Sequence, residues 1–167
     1  MRVAQTEENQ RVNAAGVHAT PGVSISDGSM TAGTAPPRRK VLVIDDSSTI
    51  RRTAEIFLSQ AGYQVTLAED GFEALAKISE LRPDLVFCDI LMPRLDGYQT
   101  CSLIKKSARF HAIPVIMLSS RDGVFDRSRG RLVGAHDHLA KPFTREALLQ
   151  AVQGCLPCQA AGDVLPA

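Results

Sequence analysis

Tryptophan is missing from the 167 residues, six phenylalanines and two tyrosines are the whole aromatic complement, and no apolar run approaches a membrane span. A spanning helix needs roughly 20 consecutive apolar residues, so membrane insertion is not expected. Nor do the first residues, Met1 to Gln10, hold the apolar core of a secretory signal; they carry Glu7 and Glu8 instead. These two absences predict a cytoplasmic protein. Cysteine is scarce as well. Cys88, Cys101, Cys155 and Cys158 are too few and too scattered for a disulfide framework, in keeping with a reducing compartment. Cys155-Leu-Pro-Cys158 has the spacing of a redox motif, but it closes a helical pattern instead of opening a helix after a strand, and it reads as a fraying terminus. Excess charge of one sign is also lacking. With 19 Lys and Arg against 18 Asp and Glu, the formal net charge of +1 supplies no field to gather nucleic acid phosphates.

What is present is enough for one packed core. Hydrophobic residues make up 44% and charged residues 22%, close to the globular norm, and the length suits one domain with little room for a second. Residues 1–38 are rich in Gly, Ser, Thr, Ala and Pro and show neither helix nor strand period, so they predict a disordered tail. From Lys40 the texture changes. Val41-Leu42-Val43-Ile44, Val65-Thr66-Leu67, Leu85-Val86-Phe87-Cys88 and Val115-Ile116-Met117-Leu118 are short apolar runs of the kind buried on both faces of a parallel sheet, and Asp137 to Ala140 is a short last strand. Helical patterns alternate with them. Ile50, Ala54, Phe57, Leu58 and Ala61 form one face, with Ser47 or Ser48 to cap its start and Gly62 its end. The theme recurs in Phe72, Leu75 and Ile78 after Asp70, in Tyr98, Cys101 and Ile104 after Gly97, and in Leu148, Ala151, Val152 and Cys155 after Thr144. The segment from Asp122 to Val133 is the weakest helix, with Gly130 inside it. Five strands alternating with five helices predict an α/β doubly wound parallel sheet, helices on both faces, with its site outside the carboxyl ends of the strands.

Those strand ends carry compatible chemistry. Asp45-Asp46 follows the first strand, Asp89 the third, Ser119-Ser120 the fourth and Lys141-Pro142 the fifth. Three carboxylates repel one another unless a cation neutralises them, and hard oxygen ligands with room for water suit Mg²⁺. A carboxylate beside such an ion, facing an ammonium and a hydroxyl, is equipped to attack phosphorus, and Asp89 stands alone at the central strand's end. The bland alternative makes Asp45 and Asp46 helix caps and Lys141 a solvated surface residue. Four strand ends carrying matched groups weigh against it.

Val43-Ile44-Asp45-Asp46, Asp89-Ile90-Leu91-Met92-Pro93-Arg94-Leu95-Asp96-Gly97, Leu118-Ser119-Ser120 and Lys141-Pro142-Phe143 resemble the receiver domain of two-component response regulators, a flavodoxin-like, CheY-like fold, over about residues 39–156. Residues 157–167 would then be a short flexible tail. Arg51-Arg52-Thr53-Ala54, the run from Pro93 to Cys101 and the run from Pro114 to Ser120 further resemble the single-domain PilG-type regulators of type IV pilus twitching motility. The resemblance implies that Asp89 becomes an aspartyl phosphate. It implies Mg²⁺ held by Asp46, Asp89 and the backbone carbonyl of Leu91, with Asp45 acting through water. Ser119 would donate to the phosphoryl group, Lys141 would pair with it, and the Lys141-Pro142 bond would be cis. The partners implied are a chemotaxis-like histidine kinase and a downstream effector protein. Where many receivers have an aromatic switch residue, this chain has His138, a smaller ring that can titrate. His136 and His138 share a strand face, but no third metal ligand is evident. Receivers also flank the attacking water with the residues two beyond the phosphorylated Asp and two beyond the switch hydroxyl. Here these are Leu91 and Arg121, neither of which can orient water, so slow loss of phosphate is implied.

Rival functions fare worse. Aspartate-nucleophile phosphatases place a second Asp two residues after the nucleophile, where this chain has Leu91, so an enzyme is not expected. A flavin-binding module needs a Ser, Thr and Gly-rich phosphate loop where Asp45-Asp46 stands. Direct DNA binding needs a helix-turn-helix module for which there is no length. A protein-binding switch remains, with Arg121, Arg127, Arg129 and Arg131 as a basic patch for an acidic partner.

Overall fold

The short apolar runs pair as parallel strands because each strand has both faces covered, which alternating polar residues would not permit. The computed structural model describes residues 37–120 and 124–157, and of 124–126 the backbone alone. The chain alternates β1 (Lys40–Ile44), α1 (Ser48–Gln60), β2 (Gln64–Ala68), α2 (Gly71–Leu81), β3 (Leu85–Asp89), α3 (Gly97–Lys106), β4 (Val115–Ser120), α4 (Val124–Leu132), β5 (Asp137–Lys141) and α5 (Arg145–Cys155). One parallel sheet runs in the order β2-β1-β3-β4-β5. The doubly wound fold read from the sequence is therefore the fold observed. The tails expected at 1–38 and 157–167 lie outside the described residues apart from 37–38 and 157, as do Cys158 and Arg121.

Period-two alternation divides the strand side chains between two cores. Val41, Val43, Leu85, Phe87, Ile116 and Leu118 face one way and pack on Ala54 and Leu58 of α1 and Leu148 and Val152 of α5. Leu42, Ile44, Val86, Cys88, Val115 and Met117 face the other way, against Ala74 and Ile78 of α2 and Tyr98, Cys101 and Ile104 of α3. Leu58, Phe87, Ile116 and Leu148 are fully buried. Each such side chain stabilises the fold by about 1.5–3 kcal/mol relative to exposure.

Caps set the helix starts. Ser47 accepts from Ile50 N–H, Asp70 from Glu73, Asp96 from Gln99 in a reciprocal capping box, and Thr144 from Ala147. Gly62, at φ 92, lets the chain leave α1 in the left-handed region, although the helix itself stops at Ala61. Three expected apolar contacts differ. Ala61 is exposed because it falls at the end of the last turn, and Phe72 is 56% exposed because the buried stripe of α2 runs through Gly71, Ala74 and Ile78, about 100° away from it. Leu132 is 87% exposed, while Val133 just beyond α4 turns back onto the core.

Gly97 has a steric duty. A Cβ there would fall on the backbone carbonyl of Asp89 and lie 2.8 Å from Ile90 Cα, so the first turn of α3 presses directly on the end of β3. The need is for close approach, not for a helix start with a special φ. Gly154, in the last turn of α5, has nothing within 4 Å of such a Cβ. Gly97→Ala should therefore destabilise by about 3 kcal/mol, and Gly154→Ala should stabilise by roughly 0.5–1 kcal/mol. Urea midpoints measure both; a Gly97→Ala protein that unfolds at the wild-type midpoint would refute the close-packing account.

Candidate functional site

Strand order 2-1-3 means that the chain leaves β1 towards one edge and β3 towards the other, opening a crevice between their carboxyl ends. Three acids meet there. One carboxylate oxygen each from Asp45, Asp46 and Asp89 lies within 4.8 Å of the others. Asp45 and Asp89 are buried and Asp46 is exposed, so the cluster has a dry floor and a wet mouth. The two buried acids are fixed by backbone. Asp45 Oδ1 accepts from Ser47 N–H at 2.8 Å while its own N–H donates to Ala68 O, and Asp89 accepts from the N–H of Leu91. The bland helix-cap alternative fails for α1: its cap is Ser47, one of the two serines expected, and Asp45 points into the crevice.

Lys141, from the far strand β5, reaches over the sheet end to place Nζ 2.8 Å from Asp89 Oδ1 and 3.1 Å from Asp45 Oδ2. Its side chain is only 19% exposed, so it is a partly buried counter-charge and not a solvated surface residue. Burial pushes the Asp89 carboxyl above its ordinary pKa; the Lys141 hydrogen bond opposes that rise and the Asp45 charge adds to it. Burial by itself would lower the Lys141 ammonium, but its hydrogen bonds and charge pairing with Asp89 and Asp45 outweigh it and carry the pKa upward. Three carboxylates against one ammonium leave two negative charges uncompensated. An all-oxygen donor set with that deficit and a mouth open to water fits a divalent hard cation such as Mg²⁺.

Ser119 is brought to the same edge by β4, whose Leu118 pairs with Asp89 and accepts from Ile90 N–H at 3.0 Å. Its hydroxyl contacts His138 Nε2 and the Ser120 carbonyl. Leu91 sits two residues beyond Asp89 with its side chain 72% exposed. His136, Asp137 and His138 line one cleft between α4 and β5, but the metal-capable cluster among the described residues is the aspartate one. Lys141-Pro142 is cis. Sequence reasoning missed two supports of the site. The Arg51 guanidinium donates to the Asp45 carbonyl at 2.6 Å, and Arg94 pairs with the Asp70 carboxylate while lying 5.8 Å over the Phe72 ring. No sequence signal marked the second: Phe72 reads there as part of the apolar face of α2, and the structure places it off the buried stripe.

An acid whose folded pKa lies above its unfolded value of about 3.9 penalises folding as pH rises between the two. With chelator present, Asp89→Asn should therefore melt above the wild type at pH 7, and the margin should vanish near pH 3, where both forms are uncharged. A melting temperature below wild type at pH 7 would show that ionised Asp89 supports the metal-free fold.

Comparison with known proteins agrees with this geometry. The model of the response regulator receiver domain matches residues 41–153. Protein PilG of Pseudomonas aeruginosa is 58% identical over 118 residues, which is 71% of this chain and 87% of PilG. Response regulator MprA of a Mycobacterium species is 41% identical over 117 residues, and the chain spans 50% of that longer relative. The chemotaxis protein CheY4 of Vibrio cholerae superposes with a TM-score of 0.69 at 36% identity, covering 71% of this chain and 99% of CheY4.

Proposed function

This chain belongs to the response regulator receiver domain family, and from that membership we propose that it is a phosphoryl-accepting switch of a chemotaxis-like phosphorelay, charged on Asp89 by a histidine kinase and signalling in the cytoplasm by binding an effector protein. The observation that carries the proposal is the Lys141 ammonium bridging Asp45 and Asp89 from a third strand end, with Asp46 in the same cluster. A carboxylate oxygen of Asp89 attacks phosphorus, the bond from phosphorus to the donor's imidazole nitrogen breaks, and the product is an acyl phosphate on Asp89. Asp46, Asp89 and the Leu91 carbonyl would hold Mg²⁺, with Asp45 acting through water; when bound, the ion supplies neutralisation of the phosphoryl oxygens. Lys141 shares that charge and Ser119 donates its hydroxyl to a phosphoryl oxygen. No proton need be moved by a second acid, and Leu91 at the position used by phosphatases has none to give, which separates a switch from an enzyme that turns over. We propose residues 39–156 as the switch and 1–38 and 157–167 as its tails.

Incubation with Mg²⁺ and acetyl phosphate should add one phosphoryl mass to the wild type and none to Asp89→Asn. Asp46→Ala should weaken Mg²⁺ affinity by at least tenfold in a calorimetric titration. Equal labelling of the Asp89 variant would overturn the phosphoacceptor assignment, and an unchanged titration would overturn the metal assignment.

The output we propose is type IV pilus twitching motility, on the similarity to PilG. Arg127, Arg129 and Arg131 are all exposed; Arg127 and Arg131 border the cleft between α4 and β5, and Arg129 lies 4.5 Å over the Tyr98 ring. The basic face offered to an acidic partner therefore includes Arg127, Arg129 and Arg131, of which Arg127 and Arg131 border the cleft. In Pseudomonas aeruginosa lacking PilG, this chain should restore twitching, Asp89→Asn should not, and reversing both cleft arginines to Glu should abolish restoration while leaving phosphorylation intact. Restoration by Asp89→Asn would detach motility from phosphate.

A further inference from the structure

Between Asp89 and α3 the chain folds back through a turn that residues other than glycine rarely make. Leu95 N–H donates to the Pro93 carbonyl at 2.8 Å, two residues back, with Arg94 between them at φ 68. A γ-turn of positive φ is uncommon because it is strained, and glycine would make it at no steric cost. What an arginine adds there is reach. Its guanidinium pairs with the Asp70 carboxylate and lies 5.8 Å over the Phe72 ring. Asp70 is itself fixed: its Oδ1 accepts from Glu73 N–H at the start of α2, and its side chain is only 10% exposed. Close packing joins the same two segments, since a Cβ on Gly71 would come within 2.7 Å of Leu95 Cδ2. The start of α2 thus holds the turn by charge, by ring and by contact.

We propose that Arg94 is a positioning residue for the metal: clamped on Asp70, it fixes the orientation of the Leu91 carbonyl three residues earlier and so sets the Mg²⁺ affinity of the site. The clamp rests on the reading of Asp46, Asp89 and the Leu91 carbonyl as Mg²⁺ ligands. A carboxylate can reach its ion by rotating a side chain, but a carbonyl turns only with the main chain. Whatever fixes the main chain therefore fixes the ligand. The base of the loop is already held, because Ile90 N–H donates to the Leu118 carbonyl and Gly97 N–H to the Ile90 carbonyl, each at 3.0 Å. Inside the loop Met92 is buried, whereas the Leu91 side chain is 72% exposed, so its own packing does not orient its peptide. The remaining restraint is the turn at Arg94. Mg²⁺ demands near-ideal octahedral geometry, so a carbonyl free to wander costs affinity. A direct field effect would differ in sign: losing the Arg94 cation would strengthen binding of Mg²⁺ and losing the Asp70 anion would weaken it. A clamp weakens binding in both cases.

Calorimetric Mg²⁺ titration of the full-length chain separates the two. Arg94→Gly keeps the turn and removes the guanidinium, while Asp70→Asn keeps a cap for α2 and removes the charge. Arg94→Gly should weaken Mg²⁺ binding roughly tenfold and Asp70→Asn roughly threefold or more. The double variant should lose no more than Arg94→Gly alone, since both changes break one clamp. Arg94→Lys, which returns a cation on a long stem, should recover part of the loss. Binding by Arg94→Gly at or above wild-type strength, or losses that multiply in the double variant, overturns the clamp. A wild type that binds Mg²⁺ no better than Asp46→Ala would instead overturn the metal reading. A second measurement needs no metal. With chelator present, the ¹⁵N order parameters of the Leu91 and Met92 amides should fall in Asp70→Asn, which adds no glycine to the loop, while those of β3 keep their wild-type values. Unmoved order parameters overturn the clamp even where the affinity falls.

Discussion

Everything at the carboxyl end of the sheet is arranged around one ammonium between two buried carboxylates. Lys141 Nζ joins Asp45 from β1 and Asp89 from β3, residues 96 and 52 positions away in sequence. In a desolvated crevice each unpaired charge is expensive, so without the ammonium the two acids could not both ionise. The pairing also demands that β5 stand beside β4 and β4 beside β3, because only that order lets a β5 side chain lie across the end of the sheet. Fold and site are thus one constraint seen at two scales. The sheet order delivers the charges, and the charges are tolerable only in that order.

A second constraint keeps Asp89 where the ammonium can find it. Gly97 N–H donates to the Ile90 carbonyl at 3.0 Å, and the absent Cβ lets the start of α3 rest on the Asp89 backbone. Between them the chain makes a tight turn, with Leu95 N–H on the Pro93 carbonyl and Arg94 at φ 68. A non-glycine residue in that region is strained by roughly 1 kcal/mol or more, and the Arg94 side chain offsets the strain by pairing with Asp70, the cap of α2. The loop that carries Leu91 is therefore pinned at both ends and on its flank. Its exposed tip is left for solvent or a partner.

Much of this was legible in the sequence. Runs such as Val41-Leu42-Val43-Ile44 are apolar at every position, which suits only a strand covered on both sides, and the acids placed directly after such runs had to emerge at one sheet end. Ser47, Asp70 and Thr144 announced their helices by cap chemistry, and each is the cap observed. What local pattern could not carry was pairing across long sequence separations. Nothing near Arg94 or Asp70 says that the two meet 24 residues apart, nor does anything near Arg51 point to the Asp45 carbonyl. The exposed Phe72 broke its helix's stripe for the sake of an arginine on another loop. Gly97 does open α3, but the sequence shows only that it lacks a Cβ, not that the Asp89 carbonyl occupies the space.

The resting site is satisfied by its own groups, and that sets what a phosphoryl group must do there. Lys141 is committed to two carboxylates and Ser119 to an imidazole and a carbonyl. On the proposed reading, a group arriving on Asp89 with nearly two negative charges, in a crevice already short of positive charge, would draw both side chains towards itself. Lys141 would then give up part of its hold on Asp45 of β1, and Ser119 its contact with His138 of β5. Such a change would begin in electrostatics at the strand ends and reach the sheet edge, where β5 and α4 enclose the cleft beside Arg127 and Arg131. A switch built this way needs no hinge. It needs donors fewer than the acceptors that compete for them, and a sheet that places the losing acceptor on the outside.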